Sequence, residues 1–84
     1  MSVGTPPHEI LSAGCEQAHL TLEQLWLAYL AFGGLHSPAE VRALLDGDGT
    51  LTAQEYDLLA HAINERFMDD GLDHPIPYAK ELGL

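Results

Sequence analysis

The sequence predicts a small all-α fold: a bundle of three main helices, preceded by a short N-terminal helix and followed by an extended, proline-containing C-terminal tail. Three observations support this prediction. Helix-capping patterns occur three times, apolar residues recur at helical spacing, and Gly or Asp-Gly pairs end each apolar segment. They divide the chain into an N-terminal segment 1–19, a three-helix domain 20–71 and a tail 72–84.

The segment before the three helices is less patterned, although residues 9–18 are compatible with a short helix. The first main helix is predicted to begin after Thr21, which forms a capping box with Gln24. The apolar segment 22–32 follows, and Gly33-Gly34 ends it. This helix carries two apolar stripes. The first stripe contains Leu22, Leu25, Trp26, Tyr29 and Phe32, and the second contains Leu27, Leu30 and Ala31.

A helix that is apolar nearly all round must be covered on more than one side. Two coverings are open for the second stripe: the N-terminal segment folding over it, or another protein chain. Trp and Tyr are enriched at interface hot spots, although a Trp in a small domain also serves as core. The candidate interface residues are Trp26, Leu27, Leu30 and Ala31.

The second main helix has an N-cap at Ser37, a first-turn proline at Pro38 and a capping-box partner at Glu40, and it is predicted to end near residues 46–47. The third helix is predicted to open with a capping box of Thr52 and Glu55 and to run to about residue 68. Its apolar face contains Tyr56, Leu59, Ala60, Ile63 and Phe67. Its polar positions include Asp57, His61, Asn64 and Glu65.

The tail 72–84 is predicted to be extended, because Pro75 and Pro77 lack backbone donors and bias their predecessors away from helix. Ile76 and Tyr78 are the tail residues expected to pack back onto the bundle.

The loop between the second and third helices reads Asp-Gly-Asp-Gly-Thr-Leu-Thr-Ala-Gln-Glu over 46–55. This segment resembles a calcium-binding EF-hand loop, in which oxygen ligands surround a sharp glycine turn. The resemblance implies Asp46, Asp48, Thr50, Thr52 and Glu55 as the calcium-site residues, with Glu55 as the closing bidentate ligand.

The sequence departs from the EF-hand pattern at the first ligand position, which is Leu44 instead of Asp. Leu44 also continues the apolar stripe of the second helix, so that helix is expected to run into the loop. The alternative interpretation is a metal-free connection, because Asp and Gly favour turns and Thr52 with Glu55 caps the next helix.

Charge and cysteine content restrict the function further. The formal net charge is -10, from 13 acidic and 3 basic side chains. Arg42, Arg66 and Lys80 cannot form a basic patch, so direct nucleic-acid binding is not expected. The acidic balance favours either a basic partner protein or solubility alone. The lone Cys15 excludes an internal disulfide and fits a reducing compartment. With no signal-peptide pattern and no run of ~20 apolar residues, we expect a cytoplasmic protein without membrane contact.

The sequence lacks the patterns that define common catalytic sites. The five histidines are scattered without zinc-ligand spacing, and there is no phosphate-binding glycine loop or nucleophile elbow. We therefore expect no enzyme activity and no cofactor, apart from calcium at the EF-hand-like loop.

The segments 25–34, 64–67 and 75–78 resemble those of small uncharacterised helical proteins of high-GC actinobacteria. The resemblance covers about residues 20 to 80 and implies a cytoplasmic accessory or regulatory protein, without site residues. Three functional hypotheses follow from the sequence. They are a non-enzymatic interaction or regulatory module that binds another chain or itself as a homodimer, a calcium-binding protein, and an acidic decoy of a nucleic-acid-binding surface.

Overall fold

The computed structural model describes residues 4–84, which contain five helices and no strand. The helices are α1 (Pro7–Gln17), α2 (Leu22–Ala31), α3 (Pro38–Leu45), α4 (Ala53–Asp69) and α5 (Ala79–Leu82). The predicted all-α class is confirmed. Residues 1–3 of the predicted N-terminal segment lie outside the described residues.

The caps of α2 and α3 form as the sequence predicts. The Thr21 hydroxyl accepts from the backbone N–H of Gln24 at 3.1 Å, and the Gln24 side chain accepts from the N–H of Thr21 at 2.9 Å. Ser37 and Glu40 make the same reciprocal pair at the start of α3. Each pair satisfies two of the N–H groups that a helix start leaves without an intrahelical partner.

The predicted capping box of α4 is only half present. The Thr52 hydroxyl accepts from the N–H of Glu55 at 3.1 Å, as predicted. The reciprocal half of the prediction is wrong, because the Glu55 carboxylate accepts from the Tyr29 hydroxyl at 2.7 Å. A charged acceptor strengthens that hydrogen bond and joins α2 to α4.

The long helix α4 is the centre of the bundle and packs against α1, α2 and α5, while α3 packs against α1 and α2. Its predicted apolar face is confirmed, since all five members are buried. The fully buried side chains with the largest volumes are Tyr29, Tyr56, Leu11, Leu25, Leu59, Ile63, Val41 and Asn64.

The N-terminal helix α1 is part of the core and begins two residues before the predicted span. Pro7 occupies the first turn, where a missing N–H costs nothing. Leu11 is fully buried, and the Ser12 hydroxyl donates to the carbonyl of Leu45 at 2.8 Å. Gly14 lies against Ile76, and a Cβ at Gly14 would be 2.5 Å from the Ile76 Cδ1. The N-terminal helix and the C-terminal tail therefore meet in the bundle.

The C-terminal tail is extended only up to residue 78, and the prediction of extended structure is wrong for α5. Pro77 is the last proline, so no missing donor prevents a helical turn after it. The Asp57 carboxylate, on α4, accepts from the N–H of Ala79 at 2.7 Å and satisfies a donor at the start of this turn.

Polar side chains of α4 hold the extended part of the tail. Asn64 is fully buried, donates to the carbonyl of Ile76 at 3.0 Å and accepts from the Ile76 N–H at 2.9 Å. The Tyr56 hydroxyl donates to the carbonyl of Pro77 at 2.7 Å. The tail is thus bound by Asn64, a polar position that the sequence sets apart from the apolar face, and by the hydroxyl of Tyr56, a member of that face.

Candidate functional site

The second apolar stripe of α2 faces solvent. Leu27 is 54% exposed and Leu30 37% exposed, and Ala31 beside them is also exposed. Leu35, in the loop that follows, is 91% exposed. These four residues are called the α2 face below. The helix α1 packs against α3 and α4, and residues 4–20 leave the α2 face exposed.

The first stripe of α2 forms the inner side of the helix. Leu25 and Tyr29 are fully buried against the core. Trp26 is half-buried on the flank between the two stripes, and its indole N–H donates to the carbonyl of His36 at 2.9 Å. Trp26 also borders a shallow groove beside the α2 face. That groove is lined by Thr21, Leu22, Glu23, Trp26, Leu27 and Pro38.

The Tyr29 hydroxyl organises the loop that carries Leu35. It donates to Glu55 and accepts from the backbone N–H groups of Leu35 and His36, each at 3.1 Å. Burial of the ring, the largest cause, and the hydrogen bond with Glu55 both raise the pKa of Tyr29, so the hydroxyl stays protonated at neutral pH. The ring lies against Gly34, where a Cβ would overlap it. The backbone at Leu35 is therefore anchored while its side chain projects into solvent.

The C-terminal end of α2 contacts α4 and the tail through aromatic rings. Phe32 meets His61 edge to face, with ring centroids 4.1 Å apart. The Nδ1 of His61 lies 3.2 Å from the Tyr78 hydroxyl. This arrangement is favourable for aromatic pairs and fixes the far end of α2 to the bundle.

The ionisable side chains around the α2 face are two carboxylates and His36, whose Nδ1 lies 3.7 Å from the carboxylate of Glu40. Glu23 lies one turn before Leu27 on the same side of α2, and Glu40 lies in the first turn of α3. A hydrogen bond from the backbone of Ser37 lowers the pKa of Glu40, which stays ionised at neutral pH.

The three basic side chains of the chain lie elsewhere. Arg42 pairs with Asp46 at 3.3 Å, and Arg66 pairs with Asp70 at 3.7 Å, in each case one helical turn further on. Lys80 lies on α5, which packs against α4. The edge of the α2 face is thus acidic.

The residues of the EF-hand-like loop point in several directions. Glu55 is bonded to Tyr29, Asp46 to Arg42, and the Thr52 hydroxyl caps α4. Asp48 and Thr50 are exposed. Among residues 4–84, no group of three or more His, Cys, Asp or Glu side chains is placed to hold a metal ion.

Leu44 stands at the first ligand position of that loop and, as predicted, belongs to the apolar side of α3. Leu44 is buried, and α3 continues through Leu45 before the loop starts. Calcium binding by the predicted residues stays a prediction, and ligation by Glu55 would require its carboxylate to leave Tyr29.

Two further ionisable groups are shielded from solvent. Burial raises the pKa of the Cys15 thiol to about 11, so the thiolate that would act as a nucleophile is scarce at neutral pH. Burial is also the main reason that the pKa of Tyr56 is raised to about 12. Both groups are structural at neutral pH.

Sequence reasoning missed Leu35 and the bond between Tyr29 and Glu55. Leu35 belongs to no periodic stripe, but a leucine between Gly-Gly and a helix cap has no place in a core pattern, which is a signal for exposure. The bond between Tyr29 and Glu55 joins residues 26 positions apart and has no local signature.

Comparison of the chain with protein-family models, with curated proteins and with solved structures finds no match. No helix within residues 4–84 has both the length and the apolar character needed to cross a membrane. Function must therefore be inferred from the chain's own residues.

Proposed function

We propose that this protein is a non-enzymatic, acidic interaction or regulatory module of the cytoplasm, and that its α2 face binds another protein chain. The observation that carries the proposal is the exposure of Leu27 and Leu30, one turn apart on α2, with Leu35 exposed in the loop that follows. Clustered exposed apolar side chains are typical of contact sites, whereas isolated ones need no explanation. The proposed interface contains Trp26, Leu27, Leu30, Ala31 and Leu35.

The backbone that carries the α2 face is fixed at several points, which favours binding. The capping box at Thr21 fixes the start of α2, and Phe32 fixes its end against His61. Tyr29 and Trp26 hold the following loop through three hydrogen bonds, and a fourth joins Tyr29 to Glu55 on α4. A surface that is already ordered loses less conformational entropy on binding, so more of the contact energy appears as affinity.

The partner class follows from composition. With 3 basic side chains against 13 acidic ones, the module is proposed to contact neither nucleic acid nor membrane directly. The occupant is another protein chain or a second copy of this one. The buried, protonated Cys15 is compatible with the reducing cytoplasm. The acidic-decoy hypothesis differs in that charge alone, without the leucines, would mediate binding.

The test compares two variants with equal charge change. Leu27→Glu places a carboxylate in the α2 face, and Leu72→Glu places one at another exposed leucine, in the tail. Both variants should stay folded by circular dichroism, since both positions are exposed. Sedimentation velocity over a range of concentrations then reports self-association, and affinity capture from a cell extract reports other partners.

We expect an association, with itself or with a captured protein, that survives Leu72→Glu and is abolished by Leu27→Glu. A wild-type chain that is monomeric and retains no protein in a Leu27-dependent manner would refute the proposed function. Association that both variants retain or strengthen equally would favour the decoy hypothesis, in which negative charge binds a basic partner and the leucines do not.

A further inference from the structure

We infer that the occupant of the α2 face is a basic amphipathic helix of a different protein, with apolar side chains on one side and Lys or Arg on the other. This inference rests on the proposed function, because it names the partner of the same surface. Its basis is the combination of exposed leucines, a groove beside them and an edge that carries carboxylates.

The shape of the surface favours a helix as the occupant. Leu27 and Leu30 lie one turn apart on α2, and the groove between Trp26 and Pro38 runs beside them. Leu35 projects from the loop that Tyr29 anchors. An amphipathic helix binds such a groove with apolar residues at positions i, i+3, i+4 and i+7.

The charge of the surface favours a basic occupant. Glu23 lines the groove, and Glu40 follows Pro38 in the first turn of α3. Neither carboxylate has an Arg or Lys side chain beside it, since Arg42 and Arg66 pair with Asp46 and Asp70 and Lys80 lies on α5. The basic group nearest to Glu40 is the imidazole of His36, at 3.7 Å. Complementary charges at the rim of an interface increase the association rate and select the partner.

The same charge disfavours a second copy as the occupant. In a twofold dimer, the same patch is used on both subunits, so the carboxylates that edge one α2 face would approach those of the other. Each chain already has a net charge of -10, and its Arg and Lys side chains lie outside the patch. Like charges brought together at an interface oppose binding.

The test uses synthetic peptides as probes and the protein's single tryptophan, Trp26, as the reporter. The first peptide is a Leu/Lys helix with leucines on one side, about 18 residues long because shorter helices are marginal in water. The second replaces every Lys with Glu, and the third has the Leu/Lys composition in an order that breaks the apolar stripe. Titration of the full chain is followed by Trp26 fluorescence at low salt and at high salt.

Two pairs of variants locate the binding. Glu23→Gln with Glu40→Gln neutralises the edge of the α2 face, and Glu16→Gln with Asp69→Asn is a matched control at exposed positions on α1 and α4. Leu27→Ser removes an apolar contact and retains the reporter. We expect the edge pair to weaken binding of the amphipathic Lys peptide about tenfold at low salt, with little effect at about 0.5 M salt, where charges are screened.

The inference predicts saturable binding of the amphipathic Lys peptide only, weakened by Leu27→Ser and by the edge pair but not by the control pair. Equal binding of the scrambled peptide, or equal weakening by the control pair, would overturn it in favour of unspecific charge attraction. Equal binding of the Glu peptide would overturn the inference that the occupant is basic. Failure of the Lys peptide, in a chain that self-associates through Leu27, would overturn this inference and leave the proposed function standing. If the Lys peptide does not bind and the chain shows no association that depends on Leu27, both this inference and the proposed function are refuted.

Discussion

The outer side of α2 and the polar groups of α4 are covered differently. On α4, Asn64 and Tyr56 donate hydrogen bonds to the chain's own tail, and Asp57 accepts one from Ala79. On α2 the outer side is apolar, and residues 4–84 place no segment over it. From polarity alone, the polar groups of α4 would be expected to face solvent and the apolar side of α2 to be buried.

The difference shows how each surface can be recognised. Hydrogen bonds depend on direction, so Asn64 fixes one residue of the tail, Ile76, in one position. Apolar contact depends on area and shape and is tolerant of the exact partner. The polar groups of α4 are therefore suited to a fixed internal contact, and the apolar side of α2 is suited to the contact with another chain that we propose.

The first prediction removes the hydrogen bonds that hold the tail. Asn64→Ala should lower the free energy of unfolding by about 2–4 kcal/mol, because the buried N–H and carbonyl of Ile76 both lose their partner. Urea denaturation measures the change, and amide exchange at Ile76 should accelerate. Glu65→Ala, next to it on α4, is the control and should change stability far less. Similar losses in the two variants would mean that the tail does not depend on Asn64.

The second prediction loosens the loop beside the α2 face. Tyr29→Phe keeps the buried ring but removes the hydroxyl that bonds Glu55 and the N–H groups of Leu35 and His36. We expect a loss of about 1.5–3 kcal/mol and faster amide exchange at those two residues. Tyr78→Phe, whose hydroxyl contacts His61, is the matched control. Unchanged exchange at Leu35 would show that the loop is held by other contacts.

The third prediction has the smallest effect and defines the α2 face most directly. Leu30→Ala should change stability by no more than about 0.5 kcal/mol, because this side chain is exposed. Leu25→Ala, on the buried side of the same helix, should cost about 2–5 kcal/mol through lost burial and a cavity. Thermal or urea unfolding compares the two. A large loss for Leu30→Ala would place that leucine in the folding core and weaken the proposed interface.

The sequence correctly predicts those parts of the fold that depend on residues close together in the chain. The caps at Thr21 and Ser37 and the apolar face of α4 are visible in the sequence, because each depends on residues within a few positions of one another. The carboxylate of Glu55 was assigned to the nearest backbone donor, whereas folding gives it the Tyr29 hydroxyl from another helix. A distant donor cannot be anticipated from spacing.

The candidate surface was predictable in part for the same reason. Leu27, Leu30 and Ala31 form a stripe in the sequence, but their exposure depends on where α1 packs, which periodicity does not determine. Leu35 and the buried role of Asn64 lie outside any stripe. Asn64 looks like a solvent-facing residue until the tail supplies its partner, since amides are usually exposed.

The contact of Ile76 with Gly14 and Asn64 has a consequence for chains that lack the tail. Ile76 lies after α1 to α4, so a chain cut short before it contains all four helices but leaves Asn64 without its hydrogen-bond partner and Gly14 without its neighbour. Such a chain would have one unfilled position in its core. Only with Ile76 present does the structure close between the N-terminal helix and the tail.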